Sequence, residues 1–318
     1  MRVLVVSNMA PDAGAPHRGS FVRDQVDGMR AAGAEVELLE FPPGRREYRP
    51  AITRIRDAIR GSSFDLVHAH YGLAGWCATL AGARPLAVTF HGTDVRHPVV
   101  GRLSRLLARR ADLVGVASRQ LFERQGQSRG VSRIPGRTAV LPCGADLERF
   151  RPVPQAEARE RLGIAPDQRL LLFPADPLRP EKRFDRAEEV ARLAEAELLS
   201  AGAIEPERMP LAISAASALL ITSDYEGFGL AAVEGLACAR PVLSTPVGIA
   251  PALLDGIDGC LAEPFERERW ASVARAHLDA GEPSVRWDRR VRWFAAPLLA
   301  ERVLAAYDAC SARPGDLS

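Results

Sequence analysis

The sequence alternates short apolar runs with amphipathic segments, and this alternation starts afresh near the middle of the chain. In the first half, the runs that predict strands are RVLVVS, EVELLEF, DLVHAH, LAVTF, DLVGVAS and TAVLP. Most of them are separated by a helical pattern, and strands that alternate with helices are typical of a parallel, doubly wound sheet. This pattern constrains the fold more than any other feature of the sequence.

The second half repeats the arrangement after the segment LERFRPVPQAEA, whose prolines and charges indicate a linker. Its predicted strands are LLLFP, AELLSAG, ALLITS and PVLSTP, and its predicted helices span Phe184–Ala196, about Glu207–Ala218 and Gly229–Ala239. We therefore predict an α/β protein with two sheet domains in tandem and a cleft between them. The predicted domains are residues 1–150 and 151–291, which agrees with a length of 318 residues.

Cysteine usage and hydropathy indicate the compartment. The five cysteines are odd in number and scattered, and none belongs to a C-x-x-C pair. Neither a disulfide framework nor a zinc knuckle is therefore expected, and a reducing cytoplasm fits best. The least polar run, PLAISAASALLITS, is too short and too rich in Ser and Thr to span a bilayer. We expect a cytoplasmic protein.

The net charge of +2 conceals an asymmetry between the two halves. Residues 1–150 carry 22 basic and 14 acidic side chains, whereas residues 151–318 carry 20 and 26. The basic first half favours an anionic partner there. No nucleic-acid-binding module is present, so neither DNA nor RNA is an expected partner.

One segment of the basic half raises the question of membrane contact. RREYRPAITRIRDAIRG places Ile52, Ile55 and Ile59 on one helical face, with arginines around the remainder. Such a helix resembles an interfacial helix drawn to anionic lipid at the inner face of the cell membrane. The alternative is an ordinary surface helix, because most amphipathic helices of folded domains have this pattern.

Polar residues follow two predicted strands of the first half. AVTFHGTD places His91 and Asp94 just after a strand, and DLVHAHYG ends a strand with His68 and His70. In doubly wound sheets, ligands bind beyond the carboxyl ends of strands. A polar turn is the alternative for the first motif, and core histidines are favoured for the second. A metal site is not favoured, because no carboxylate lies at ligand spacing beside the histidines.

The most specific segment of the second half is LLITSDYEGFGLAAVEGLACARPVLSTPVG. Glu226 stands in the turn after a strand, and Gly227 and Gly229 allow the backbone to approach a ligand closely. The helix that begins near Leu230 offers free amides for an anion. Glu234, just over a turn into that helix, could accept hydrogen bonds from ligand hydroxyls. The alternative is two solvated glutamates.

Lys182 is the only lysine in a chain with 42 basic Lys and Arg residues. An ammonium is a compact point charge and a guanidinium is a bulky planar fork, so the two are not equivalent at a tight anion site. A single lysine that follows the first strand of the second domain is therefore a candidate ligand for an anion. The alternative is an accident of composition.

Several segments occur in an order that resembles a known family. They are GSFVRDQVDGMRAAGAEVELL, FDLVHAHYG, TFHGTD, LPCGADLERFRP, RPEKRFD and, above all, EGFGLAAVEGLACARPVLSTPVG. The chain resembles glycosyltransferase family 4 over nearly its whole length, and the last segment resembles the paired-glutamate motif of that family. The resemblance implies the GT-B fold, in which two tandem Rossmann-like, doubly wound parallel-sheet domains face each other across a cleft. It also implies that a C-terminal helix of about residues 292–312 packs back on the first domain.

The resemblance implies roles for residues of the second domain as the nucleotide-sugar donor domain. Glu226 would lie near the transferred sugar, and Glu234 would bind the ribose hydroxyls of the donor. Lys182, with a nearby arginine, would neutralise the leaving diphosphate. The backbone amides near the sugar and the diphosphate would be those of Gly227, Phe228, Gly229 and Leu230.

The first domain would lie on the acceptor side. His91 would line the sugar pocket and form the catalytic set with Lys182 and Glu226. Gly19, in the loop after the first strand, would approach the donor from across the cleft, and Asp94 would join the donor-binding residues.

Two positions depart from the family pattern. The arginine expected five positions before Lys182 is replaced by Pro177, and Arg179 is the nearest substitute. The usual Asn of the PNGVD-like segment is Cys143, so any contact of that amide is lost.

The implied activity is that of a retaining hexosyltransferase of polysaccharide biosynthesis or a related pathway. The donor would be a UDP- or GDP-sugar, and the acceptor would be lipid-linked, a polysaccharide or a small molecule. Front-face transfer is implied, and no metal or other cofactor is expected. The alternatives are a GT-B sugar-nucleotide epimerase and a non-catalytic nucleotide-sugar-binding protein. A nicotinamide dehydrogenase is least favoured, because no G-x-G-x-x-G follows the first strand.

Overall fold

A computed structural model of the protein describes residues 1–122, 130–133, 137–282, 285 and 289–311. The chain divides into two compact units. Unit 1 comprises residues 1–12, 18–144 and 296–318, and unit 2 comprises residues 13–17 and 145–295. The last residue of the predicted C-terminal helix, Ala312, lies outside the described residues.

Each unit is built on a parallel sheet. Unit 1 has six strands in the order β2-β1-β3-β4-β5-β6, and unit 2 has five in the order β11-β10-β9-β7-β8. The strands are β1 Arg2–Ser7, β2 Glu35–Glu40, β3 Leu66–His70, β4 Leu86–Phe90, β5 Leu113–Val116, β6 Thr138–Val140, β7 Leu170–Phe173, β8 Glu197–Ser200, β9 Ala218–Ile221, β10 Val242–Ser244 and β11 Leu261–Ala262. The prediction of two doubly wound parallel sheets is confirmed.

α-Helices lie between most pairs of consecutive strands in the described part of the chain. The α-helices are α1 Ser20–Ala31, α2 Arg45–Gly61, α3 Gly72–Ala81, α4 Thr93–Arg96, α5 Pro98–Ala108, α6 Gln155–Leu162, α7 Phe184–Leu193, α8 Met209–Ala215, α9 Leu230–Ala237, α10 Ala250–Leu254, α11 Arg267–Asp279 and α12 Ala296–Ser311. Short 3-10 turns span Arg119–Phe122, Pro180–Lys182, Ala201–Ala203, Pro206–Arg208 and Arg289–Phe294. None of the helices in the described part of the chain is both long and apolar enough to cross a membrane.

The core of unit 1 includes the C-terminal helix. α12 packs against α1, and its Val303 and Tyr307 are fully buried. In α2, Ile55 is fully buried and the helix packs on α3. The apolar face that the sequence could offer to lipid is thus partly used inside unit 1, and membrane association stays a prediction.

Some predicted boundaries were wrong. α6 begins at Gln155, inside the predicted linker, with Pro154 at the cap position of the helix. α7 ends at Leu193 rather than Ala196, since Glu195 adopts a positive φ of 53° that ends a right-handed helix. α8 is confined to Met209–Ala215 because Ala218 already belongs to β9. The two-residue strand β11 was missed, as it is too short to show a pattern.

Candidate functional site

In unit 2, Lys182 and Glu226 form an ion pair at the carboxyl ends of two adjacent strands. Lys182 Nζ donates to Glu226 Oε1 at 2.7 Å and to Oε2 at 2.6 Å. The side chains are only 12% and 13% exposed. Lys182 follows β7 and Glu226 follows β9, which pair with each other, and the chain order of the sheet reverses between them. Such a switch point is where open α/β sheets bind ligands.

Two hydroxyls hold this ion pair in place. Ser223 Oγ donates to Glu226 Oε1 at 2.7 Å. Thr222 Oγ1 donates to the carbonyl oxygens of Lys182 at 3.1 Å and Arg183 at 2.9 Å. The loops after β7 and β9 are therefore joined by hydrogen bonds as well as by charge. Neither hydroxyl was predicted from the sequence, although their place directly after β9 was a usable signal.

The neighbouring arginines are engaged with other carboxylates. Arg179 Nε and Nη2 donate to Glu181 Oε1 at 2.9 and 2.6 Å, and the Arg179 side chain is 45% exposed. Arg183 pairs with Asp185 and Asp224. Lys182 is thus the cation that the structure brings to Glu226, while Arg179 lies against Glu181.

The glycine-rich turn before α9 brings two loops into backbone contact. Gly229 has a left-handed φ of 92° and immediately precedes the helix. The Ile249 amide donates to the Phe228 carbonyl oxygen at 2.7 Å. A Cβ on Gly248, whose φ is 56°, would lie 2.2 Å from that same oxygen, so only glycine fits. The free amides at the start of α9 are suited to an anion.

Glu234 lies in α9, one turn beyond its start at Leu230. Its side chain is half-buried. The two candidate glutamates of unit 2 therefore lie in different settings. Glu226 is ion-paired in the loop after β9, and Glu234 is carried by the helix that follows.

In unit 1, three histidines gather at the ends of β3 and β4. His68 and His70 are fully buried, which agrees with core histidines. His70 Nδ1 lies 2.9 Å from His91 Nε2. His68 Nε2 lies 2.8 Å from Thr89 Oγ1, and its Nδ1 lies 2.5 Å from the hydroxyl of Tyr307 in α12. The C-terminal helix thus contributes to this network.

Burial keeps these imidazoles neutral. It lowers the pKa of His91 to about 3. Burial, reinforced by the charge of His91, also lowers the pKa of His68 to about 3. The His91 ring has the rings of Phe21, Tyr71 and His70 around it at centroid distances of 5.1, 4.6 and 5.1 Å. Neutral rings in such a setting can hydrogen-bond to an uncharged polar ligand and cover its apolar face.

Asp94 ties together the loops that carry the histidines. Its Oδ1 accepts from the amides of His91 at 3.1 Å and Gly92 at 2.9 Å, and its Oδ2 accepts from the amide of Gly72 at 3.1 Å. Burial raises the pKa of Asp94 to about 6 despite these hydrogen bonds. The carboxylate therefore positions the backbone of the β4–α4 loop against the start of α3.

Gly19 occupies a position that no other residue would accept without strain. It has a φ of 72° and directly precedes α1. A Cβ there would lie 2.4 Å from the Met9 carbonyl oxygen and 3.2 Å from Glu40 Oε1. The loop after β1 is therefore closely packed at the point where the sequence analysis placed a ligand contact.

Cys143, from the segment after β6, joins the histidines. His70, His91 and Cys143 each offer one potential ligand atom, and these atoms lie within 4.8 Å of one another. Burial raises the pKa of the Cys143 thiol well above its ordinary value. This thiol was not predicted from the sequence, because it comes from a distant segment and only carboxylates near the histidines in sequence were weighed as ligands.

Comparison with known proteins identifies related families over most of the chain. Residues 2–149 match the family described as Glycosyltransferase Family 4, and residues 157–279 match that described as Glycosyl transferases group 1. Among curated proteins, the D-inositol 3-phosphate glycosyltransferase of Geodermatophilus obscurus is 29% identical over an alignment of 336 residues. That alignment covers 86% of this chain and 72% of the relative.

Solved structures show the same fold. Sucrose-phosphate synthase from Thermosynechococcus elongatus superposes with a TM-score of 0.70 at 20% identity, covering 96% of this chain and 98% of that one. HepE of Anabaena, in complex with UDP and glucose, has a TM-score of 0.62 at 18% identity, covering 97% of this chain and 96% of that one. At such identities the likeness concerns the fold.

Proposed function

The chain belongs to glycosyltransferase family 4 and has the GT-B fold, and we propose that it is a retaining enzyme that transfers a sugar from a nucleoside-diphosphate sugar. The observation that carries the proposal is the ion pair of Lys182 and Glu226 at the switch point of the unit 2 sheet. The ammonium of Lys182 is a fixed cation that suits the diphosphate of a donor. The carboxylate of Glu226 can accept hydrogen bonds from hydroxyls of the sugar.

The donor that we propose first is a UDP-sugar, with a GDP-sugar as the second candidate. Support comes from HepE, whose structures are described as complexes with UDP, with UDP and glucose, and with UDP-glucose. The proposed acceptor is an alcohol of a lipid-linked, polysaccharide or small-molecule substrate.

Unit 2 would bind the donor. An ammonium has three N–H donors, so Lys182 can keep its contact to Glu226 and also donate to a diphosphate oxygen. The amides of the glycine-rich turn and of the α9 start would hold the same diphosphate. Glu226 would accept from a sugar hydroxyl, and Glu234 from the ribose. Arg179 would reach the diphosphate only by leaving Glu181.

Unit 1 would supply the neutral part of the sugar site. His91, held neutral by burial, would hydrogen-bond to the transferred sugar. We propose a positioning role for Asp94, because it accepts from the backbone of the loop that carries His91. Gly19 would let the loop after β1 approach the donor.

The proposed reaction breaks the bond between the anomeric carbon and the diphosphate oxygen, and a bond forms between that carbon and the acceptor oxygen on the same face. The acceptor proton passes to the leaving diphosphate. A fixed ammonium and oriented amides stabilise the negative charge that develops on the leaving group. Lys182 and the α9 amides would supply this stabilisation without a metal ion.

Thermal shift with UDP, GDP and ADP, alone and as sugar conjugates, tests the donor. A nucleotide that binds the folded chain raises the Tm by mass action, with about 2.7 kcal/mol of stabilisation at a hundredfold excess over Kd. We expect UDP and its conjugates to give the largest shift, with EDTA present throughout. The selected conjugate is then supplied with acceptors of each class, and product anomers are identified by NMR. No shift with any nucleotide, or products of inverted configuration, would contradict the proposal.

A further inference from the structure

A transition-metal site is suggested by the composition of the cluster of His70, His91 and Cys143. Their three potential ligand atoms lie within 4.8 Å of one another. Tetrahedral ligands at zinc distances are separated by about 3.3–3.8 Å, so modest side-chain rotation brings all three to one ion. We propose that these side chains bind a divalent ion of the Zn²⁺ class through two imidazole nitrogens and one thiolate.

The donor set selects the kind of ion. Imidazole and thiolate favour Zn²⁺, Co²⁺ and Cu²⁺, whereas Mg²⁺, Ca²⁺ and Mn²⁺ prefer oxygen ligands. Three protein ligands leave a fourth tetrahedral position for water or another small ligand. The thiol also marks the place where the sequence has Cys143 instead of the amide typical of its family.

The cluster is preorganised by the sheet. His70 ends β3 and is fully buried, and its ring stacks on that of His91 with an interplanar angle of 20°. The facing nitrogens are 2.9 Å apart, so a small opening of the half-buried His91 ring makes room for an ion.

Binding would exchange a proton for the ion. The Cys143 thiol loses its proton to solvent as the metal–sulfur bond forms, and the two imidazoles bind as neutral rings. The hydrogen bond between His70 and His91 is replaced by two metal–nitrogen bonds. No electron transfer is involved.

The site has a consequence for activity. An ion that engages His91 withdraws it from the sugar, so micromolar Zn²⁺ should inhibit transfer. This consequence rests on the proposed function, whereas the binding site itself does not. A protein that binds the ion but transfers no sugar would refute the proposed function and leave the metal site intact.

Cobalt is the probe of choice, because a thiolate ligand gives Co²⁺ an intense near-ultraviolet charge-transfer band. We expect the full chain, first stripped with EDTA, to develop this band at one equivalent of Co²⁺ and to lose it when Zn²⁺ is added. Cys143→Ser should abolish the band, and Cys310→Ser, a half-buried thiol of the same unit, should leave it unchanged.

A second variant covers the case in which Cys143→Ser does not fold. His91→Ala retains the thiol and should weaken Co²⁺ binding more than about 100-fold, beyond the 10–100-fold typical of changes outside the ligand set. Melting curves establish that each variant is folded. A wild-type chain without the band would overturn the proposal, as would a band that survives in a folded Cys143→Ser or keeps its affinity in His91→Ala.

Discussion

The candidate residues of unit 1 and unit 2 are built on similar sheets but from opposite chemistry. In unit 2, the ammonium of Lys182 meets the carboxylate of Glu226 at 2.6 Å, and a hydroxyl supports the carboxylate. In unit 1, burial keeps the imidazoles of His68 and His91 neutral. Among the candidate residues, the ion pair lies in unit 2 and the neutral polar rings lie in unit 1.

This difference suggests a division of labour. A reaction that expels a diphosphate needs fixed charge where the leaving group lies, and unit 2 would provide it under the proposed function. A sugar is uncharged, and its recognition depends on neutral hydrogen bonds and shape, which unit 1 would provide. The comparison predicts that variants in unit 2 affect turnover or donor affinity, while variants in unit 1 outside His91 affect mainly stability.

The largest effect is expected for Lys182→Ala. The loss of one preorganised partner of the developing charge typically lowers turnover about 10²–10³-fold, and we expect a kcat loss of that size. The matched control is Arg161→Ala, which removes an exposed ion pair with Glu157 in the same unit and should leave kcat unchanged. Steady-state kinetics with the donor found by thermal shift measure both.

Lys182→Arg sharpens the same test, because it keeps the charge and changes only its shape. The bulkier fork should displace the diphosphate, and small misplacements of reacting groups are costly. Full activity in this variant would show that the single lysine is an accident of composition. The positive charge at position 182 would then be sufficient whatever the shape of the group that carries it.

The second largest effect separates the two glutamates. Glu226→Gln should lower kcat by about 10²-fold, since the amide leaves the ammonium of Lys182 without its counter-charge near the reacting sugar. Glu234→Ala should mainly raise the Kd for the donor nucleotide, by about 10–100-fold, because hydrogen bonds to charged groups contribute about 1.5–3 kcal/mol. Kinetics and nucleotide titration distinguish the two outcomes. Equal and mild effects would contradict the separate roles proposed for the two glutamates.

The same contrast explains what the sequence could and could not predict. The pattern of strands and helices is local, so ten of the eleven strands that the structure describes, and the place of Lys182 and Glu226 beyond strand ends, could be predicted. The partnership of Ser223 with Glu226 required knowing that the loop folds back on itself. The meeting of Cys143 with His70 and His91 depends on the order of strands in the sheet, which the sequence pattern does not specify.

Asp94 has a positioning role that the sequence did not reveal. The family resemblance implied that it joins the donor-binding residues. Both of its oxygens accept hydrogen bonds from the backbone, including that of Gly72, the first residue of α3. Direct contact with the donor stays a prediction, and the positioning role rests on these distances.

Asp94→Asn should therefore act on stability. The amide replaces one accepting oxygen by a donor that faces a backbone N–H, which costs about 1–3 kcal/mol of unfolding free energy. Since burial raises the pKa of Asp94 to about 6 in the folded chain, the wild type gains stability as the pH falls through 6, and the variant does not share this gain. The difference in unfolding free energy between the wild type and Asp94→Asn should widen from pH 7 to pH 4.

Chemical denaturation at several pH values checks this, with Asp27→Asn as the control. Asp27 forms an exposed ion pair with Arg30, so its loss should cost less than about 1 kcal/mol. If the difference in unfolding free energy between Asp94→Asn and the wild type narrows at low pH, the proposed role of Asp94 in the buried hydrogen-bond network is wrong.

The smallest effect is expected for Tyr307→Phe, which tests whether α12 serves unit 1 through a polar contact as well as through packing. The variant keeps the buried ring and removes the hydroxyl that lies 2.5 Å from His68 Nδ1. A buried nitrogen then lacks its partner, and we expect a loss of about 1 kcal/mol of unfolding free energy. Tyr48→Phe, at a half-buried site in α2, is the control, and its free energy of unfolding should stay within about 0.5 kcal/mol of the wild-type value.

The melting shift caused by nucleotide should be unchanged in Tyr307→Phe, because unit 2 supplies the proposed donor contacts. A smaller increase in Tm on adding nucleotide would mean that the histidine network of unit 1 supports donor binding. The proposed division of labour between the two units would then be wrong.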